Sequence, residues 1–149
     1  MRLVIQRVSE ASVKVHNELV GEIEKGLLVL IGVGQEDDES DIDWLLNKVC
    51  NMRIFPDKEG KMNLSLLDVQ GGLLSISQFT LFAKTKKGNR PSFTSSADPA
   101  KAKELYTTWC KKAEQIIENH QTGIFAADMK ISLVNDGPVT ITIDSKNKE

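Results

Sequence analysis

Leu27-Leu28-Val29-Leu30-Ile31 is apolar at five consecutive positions. Successive side chains of a strand point to opposite faces, so this run predicts a strand covered on both sides, inside a layered fold. Extended through Gly32 to Val33 it still has only seven residues, far short of the roughly 20 that cross a bilayer. No charged-then-apolar leader opens the sequence, so neither export nor a membrane span is expected. A chain of 149 residues has room for layers on both sides of such a strand within one domain, and a single domain over 1–149 is expected. The aromatics are five Phe, two Trp and one Tyr, which makes the interior mostly aliphatic and argues against a cofactor cage of aromatic rings.

Around that strand, Leu3/Ile5, Val13/Val15 and Val20 alternate in a broken period of two, with Asn17-Glu18 and Gly21 as punctuation, so residues 2–34 read as strands. Ser40 with Asp43 three positions later resembles a capping box. Ile42, Leu45, Leu46, Val49 and Met52 follow at helical spacing, which predicts a helix over roughly 40–52. The strand pattern returns from Leu73 to Phe82 and carries the polar Ser77, Gln78 and Thr80. Asp98-Pro99 starts a second helix, in which Ala102, Leu105, Trp109, Ala113, Ile116, Ile117 and His120 repeat at three and four before Gly123. Two strands, Met129 to Val134 and Val139 to Ile143, flank Asn135-Asp136-Gly137-Pro138, and the polar tail over 145–149 is expected to fray.

Nineteen Lys and Arg against 21 Asp and Glu leave a net charge of −2, so the chain cannot coat nucleic acid through a bulk positive field. Any RNA contact must be local. Cys50 and Cys110 are far apart and belong to no CxxC, which fits a reduced, cytoplasmic chain. A hydrolytic triad needs a base beside its nucleophile, and the two histidines are His16, in an early strand pattern, and His120, at a helix end where it is expected to meet the last carbonyls. Gly32-Val33-Gly34 follows a strand but lacks the third glycine of a dinucleotide fingerprint, and reads as a turn. There is no HExxH, phosphate-binding loop or Cys/His cluster, so no metal or cofactor is expected.

Two local features carry more chemistry. Lys84, Lys86, Lys87 and Arg90 bring four cations into seven residues beside the pliable Gly88-Asn89. Such a run is ordinarily a solvated loop, and its functional reading is contact with phosphates. Gly137-Pro138 combines a residue that tolerates positive φ with one that lacks an N–H. Its plain reading is a tight turn between strands, and its functional reading is a tip that presents carbonyl oxygens to an ammonium group.

Taken together, Arg53-Ile54-Phe55, Ser77-Gln78-Phe79-Thr80-Leu81, Gly88-Asn89-Arg90-Pro91-Ser92-Phe93, Phe125-Ala126-Ala127-Asp128-Met129 and Asn135-Asp136-Gly137-Pro138-Val139-Thr140 resemble the D-aminoacyl-tRNA deacylase family. Ile5-Gln6-Arg7-Val8 and Gly26-Leu27-Leu28-Val29 also match, so the resemblance runs over nearly the whole chain, leaving out only the last polar residues.

The resemblance implies an α+β fold in which a barrel-like, mostly antiparallel curved sheet packs against two helices. It also implies a cytoplasmic homodimer that hydrolyses D-aminoacyl-tRNA and glycine mischarged on alanine tRNA, and spares L-aminoacyl-tRNA. In the family the Gly-Pro pair, here Gly137-Pro138, is cis and enters the partner subunit's pocket, where its carbonyls fill the space an L side chain would need. Ser77, Gln78, Phe79 and Thr80 then form the catalytic wall, acting mainly through the main chain. Since no base stands beside Thr80, water is the expected nucleophile, with N–H groups near Phe79 and Thr80 holding the oxyanion and the ribose 2′-OH assisting. Phe125 and Met129 resemble pocket-lining positions, with core packing as the alternative, and Lys84, Lys86, Lys87 and Arg90 are the expected tRNA contacts. A non-catalytic dimer that binds RNA ends, and an esterase of small esters, are the competing functional classes.

Overall fold

The computed structural model describes residues 1–148. Strand β1 (Arg2–Val15) organises it. Along one edge it pairs antiparallel with β3 (Gly26–Gly32) over residues 2–8 and with β2 (Glu18–Ile23) over residues 11–15. Along the other it pairs with β8 (Met129–Asp144) for nearly its whole length. Beyond β3 lie β6 (Gly72–Ser77) and β7 (His120–Thr122), both parallel to their neighbours. The order β2-β1-β3-β6-β7 curls until its ends meet: a Cβ added to Gly21 of β2 would sit 2.9 Å from the carbonyl oxygen of Thr122 in β7. Only a residue without a side chain permits that approach. The sheet is therefore nearly closed, and with two helices the expected α+β, barrel-like class holds. The short β4 (Phe55–Pro56) and β5 (Met62–Leu64) form a separate hairpin.

Strand β3 explains why the apolar run is needed. Leu27, Val29 and Ile31 join the larger core cluster, which includes Ile42, Leu45, Trp109 and Ala113 of the helices. Leu28, on the opposite face, joins Val8, Val13, Leu74 and Ile76 inside the curled sheet. Each buried aliphatic side chain of this kind stabilises the fold by about 1.5–3 kcal/mol.

Helix α1 (Glu39–Asn51) has its cap two residues earlier than the expected Ser40/Asp43 pair. The Asp38 carboxylate accepts from Ser40 N at 2.9 Å, and the Asp41 carboxylate accepts from Asp38 N at 2.9 Å. Helix α2 (Pro99–Ile116) starts as expected, Asp98 accepting from the N–H groups of Ala100 and Lys101. It ends before His120, which lies in β7 instead, because the backbone beyond Ile117 is drawn into the sheet: Leu73 N donates to Asn119 O at 3.0 Å.

Two further expectations are corrected. The strand from Leu73 stops at Ser77, since β3 ends at Gly32 and offers no ladder beyond the bond from Gln78 N to Ile31 O at 2.7 Å. Phe79–Phe82 then forms a 3-10 turn that buries Phe82. The two separate strands expected at 129–134 and 139–143 are one strand with a bulge: Val8 pairs Asn135 and Gln6 pairs Thr140, so residues 136–139 swing out opposite Arg7 alone. At the expected frayed tail, Glu149 lies outside the described residues, while Ser145 and Lys146 are tied down. Ser145 Oγ accepts from the Met1 ammonium at 2.6 Å, and Lys146 Nζ lies 2.9 Å from the Asp41 carboxylate. Burial would raise the Asp41 carboxyl, but hydrogen bonds from Lys146 and Ser145 outweigh it and leave the pKa at about 2.

Candidate active site

A cleft of about 640 Å³ opens where β3 and β6 end. Val33, Ser77, Gln78 and Phe79 form one wall, Phe93, Ser96 and Ala97 a second, and the segment from Phe125 to Met129 a third. Phe79 is 55% exposed and stands edge-on to Phe93, ring centroids 5.1 Å apart. Phe125 lines this cleft and also leans on Tyr106 of α2.

Ser77 and Gln78 are the polar residues of the first wall, and Thr80 lies just beyond its lining. The 3-10 turn begins at Phe79, so the helix itself supplies no acceptor for the N–H groups of Phe79 and Thr80. Thr80 is exposed, and its hydroxyl accepts from the Gln78 amide at 2.6 Å. An amide nitrogen cannot take the proton of a nucleophile, so this contact orients Thr80 without activating it.

A serine and a histidine do meet, but elsewhere. His120 Nε2 lies 2.9 Å from Ser75 Oγ, which also accepts from Trp109 Nε1 at 3.0 Å, while the Ser75 carbonyl accepts from the Tyr106 hydroxyl at 2.8 Å. This replaces the expected contact of His120 with helix carbonyls. Ser75 Oγ has one proton and two acceptor sites, so beside the Trp109 donor it pairs with Nε2 in either tautomer of the ring. Nδ1 has no hydrogen-bond partner among the described residues, and Glu114 Oε1 lies 3.9 Å away. Burial lowers the His120 pKa against the opposing pull of Glu114. Ser75 is fully buried, so no substrate reaches it, and the group fastens β6 to α2 and β7. Both thiols are likewise silent: burial raises Cys50 and Cys110 to about 11.

Gly137 and Pro138 are joined by a cis peptide bond and do not line the cleft of their own chain. They cap the β8 bulge, which Arg7 and Asn135 hold. Arg7 is buried; its Nε donates to Asp136 O at 3.0 Å and its Nη1 to Ile54 O at 2.5 Å. Asn135 Nδ2 donates to Arg7 O and Val139 O at 3.1 and 3.0 Å. Sequence reasoning gave Arg7 no role, although its place in the inward phase of Leu3 and Ile5 was the available signal.

The basic segment lies outside the cleft as well. Lys84 exchanges backbone hydrogen bonds with Ser92 at 2.8 and 3.1 Å, closing a loop on which Lys86, Lys87 and Arg90 are exposed without ion pairs among the described residues. One chain thus gathers Ser77, Gln78, Phe79, Phe125 and Met129 and leaves Gly137, Pro138 and the cations apart.

Residues 4–144 match the family model described as D-Tyr-tRNA(Tyr) deacylase. A solved structure described as "c-Myc DNA Unwinding Element Binding Protein" is 35% identical over 97% of this chain and 98% of that one, with a TM-score of 0.91. A second, described as "a probable eukaryotic D-amino acid tRNA deacylase", shares the fold at a TM-score of 0.76 and 16% identity, covering 95% of this chain and 97% of that one. With the match spanning both the cleft walls and the bulge, the chain belongs to the D-Tyr-tRNA(Tyr) deacylase family and is a hydrolase of aminoacyl-tRNA ester bonds.

Proposed function

We propose that the protein acts as a homodimer in the reducing cytoplasm, hydrolysing D-aminoacyl-tRNA and glycine mischarged on alanine tRNA while rejecting L-aminoacyl-tRNA. One observation carries this reading: Gly137 and Pro138 are exposed on a bulge braced by Arg7, away from the cleft of their own chain. A second copy supplies a cleft for them to enter. There the bulge excludes an L side chain, and glycine, having none, passes the same filter.

In this reading Ser77 to Thr80 hold the terminal adenosine and its ester. Water attacks the carbonyl carbon, the N–H groups of Phe79 and Thr80 receive the developing oxyanion, and the ribose 2′-OH orients the water or relays its proton. Main-chain donors suit the site because they are already fixed by the 3-10 turn and need no reorganisation as charge develops. Lys84, Lys86, Lys87 and Arg90 contact phosphates of the tRNA.

The test compares purified protein on D-tyrosyl-tRNA, L-tyrosyl-tRNA and glycyl-tRNA of alanine specificity. Release of D-tyrosine and glycine with L-tyrosyl-tRNA intact is expected. Equal rates on both tyrosyl esters refute the chiral filter. No turnover at all indicates an RNA-end binder, and equal turnover of small esters without tRNA indicates a general esterase.

A further inference from the structure

Trp44, in the middle of α1, is half-buried and carries two lysines on its indole. Lys48 Nζ stands 5.6 Å and Lys148 Nζ 4.7 Å from the ring centroid. Neither has a carboxylate partner among the described residues, in contrast to Lys112 and Lys146, which are ion-paired. A cation held over a ring is positioned without being neutralised. These two therefore keep their full charge in a protein of net charge −2.

They line a cleft of about 530 Å³ between α1 and Ile141–Asp144, at the edge of β8 turned away from β1. The carboxylate in this lining, Asp144, is already engaged by Arg2 Nε at 2.9 Å. A second, smaller cleft links it to the 3-10 turn that bears Phe79. Thr142, Ile143 and Asp144 line that smaller cleft together with Arg2 and Leu81. There Arg2 Nη1 donates to Leu81 O at 3.1 Å, and its guanidinium lies 4.6 Å over the Phe82 ring. Leu81 and Phe82 belong to the 3-10 turn that starts at Phe79. Cationic and aromatic groups thus run from the turn, through Arg2, to Trp44.

We propose that this cleft is a second polynucleotide site, in which Lys48 and Lys148 contact backbone phosphates of the tRNA body while its acylated end occupies the cleft at Ser77 to Phe79. The inference rests on the deacylase reading and extends it. Charge complementarity and continuity with the site of a polynucleotide substrate favour RNA as the occupant over a polypeptide added to the β8 edge.

The test measures affinity for an uncharged tRNA between 50 and 200 mM salt, for the parent and for Lys48→Ala/Lys148→Ala. The double variant should bind roughly three- to tenfold more weakly at the low-salt end, with a salt slope shallower by about one to two units. Lys48→Arg/Lys148→Arg should restore both. The defect should raise KM for D-tyrosyl-tRNA and be absent with D-tyrosyl-adenosine, which has no tRNA body. A parent-like affinity and slope overturns the inference, as does an equal defect on D-tyrosyl-adenosine, which would mark general misfolding. Parent-like tRNA binding with altered capture of poly-glutamate would assign the cleft to a polypeptide and overturn it too. Failure of the parent itself to cleave D-tyrosyl-tRNA would instead count against the deacylase reading.

Discussion

Arg7 Nη2 lies 2.5 Å from the position a Cβ would take on Gly137, so a side chain at the tip would displace the arginine that braces the β8 bulge from its bonds to Asp136 and Ile54. Val139 Cγ2 closes the other side at 3.1 Å, and Gly137 has φ +125°. Gly137→Ala should therefore cost stability, about 1–3 kcal/mol from the backbone conformation and the displaced guanidinium together. In the proposed dimer it should also lower D-selective deacylation, because the displaced tip no longer fits the partner's cleft. Urea unfolding and the ratio of D- to L-tyrosyl-tRNA cleavage check both. A variant with parent-like stability and selectivity would show that the tip tolerates a methyl group.

What the residues alone made legible was local. Leu27 to Ile31 announces its two covered faces by composition, and Asp98-Pro99 starts a helix by its own capping chemistry. What was hidden depends on distant partners. His120 continues the helical period of Ile116 and Ile117, yet its backbone is captured by Leu73 and its ring by Ser75. Asn135 to Pro138 has the composition of a strand-ending turn, but the 14-residue β1 keeps both flanks on one partner and turns it into a bulge. The cleft was legible in three segments through family likeness. Arg7 was not, since an arginine in an apolar strand signals burial only once its acceptors are known.

The basic loop yields a prediction about salt. Lys86 and Lys87 are exposed and Lys84 is anchored by its backbone to Ser92, so replacing all three by Ala leaves the loop's closure intact. If they touch phosphates, the salt slope of tRNA binding should fall by about 0.9 for each phosphate left without its lysine, with turnover at saturating substrate changing less. Unchanged affinity and slope in a filter-binding titration would identify the segment as solvated surface.

Acid should weaken the fold through His120. Burial holds its pKa below the ordinary 6.5, so above pH 6.5 folded and unfolded chains are both neutral there and its contribution is complete. Below 6.5 the unfolded chain binds the proton first, and stability declines until the pH passes the lower, folded value. Asp41, held at about 2, acts in a separate window: its contribution is present above 3.8 and is lost as the pH falls toward 2. Unfolding free energies at pH 8, 6.5 and 5.5 should show the first decline, and His120→Gln should flatten it. A decline of the same size in that variant would place its origin elsewhere.

Assembly is checked by dilution. In the proposed dimer each cleft is completed by the partner's bulge, so activity depends on the second copy. The active species should sediment near twice 16.5 kDa. Specific activity should fall as dilution separates the subunits. Full activity in a preparation shown by light scattering to be monomeric would rule out a site shared between copies.

The chemistry itself is tested by removing one hydroxyl from the enzyme and one from the substrate. Thr80 Oγ1 has the Gln78 amide beside it, and His120 is committed to the fully buried Ser75, so neither contact supplies the threonine with a base. Truncating it leaves the N–H groups of Phe79 and Thr80 in place. Thr80→Ala should accordingly lose about tenfold or less, through orientation, where deletion of an acid–base group loses roughly 10²–10⁴. A tRNA ending in 2′-deoxyadenosine keeps its phosphates and its ester but lacks the neighbouring hydroxyl, so binding should largely persist while cleavage nearly disappears. Single-turnover rates at saturating enzyme separate the two effects, because they read chemistry without the binding step. A folded Thr80→Ala protein without activity, together with normal cleavage of the 2′-deoxy substrate, would transfer the catalysis to the threonine side chain and reverse the assignment.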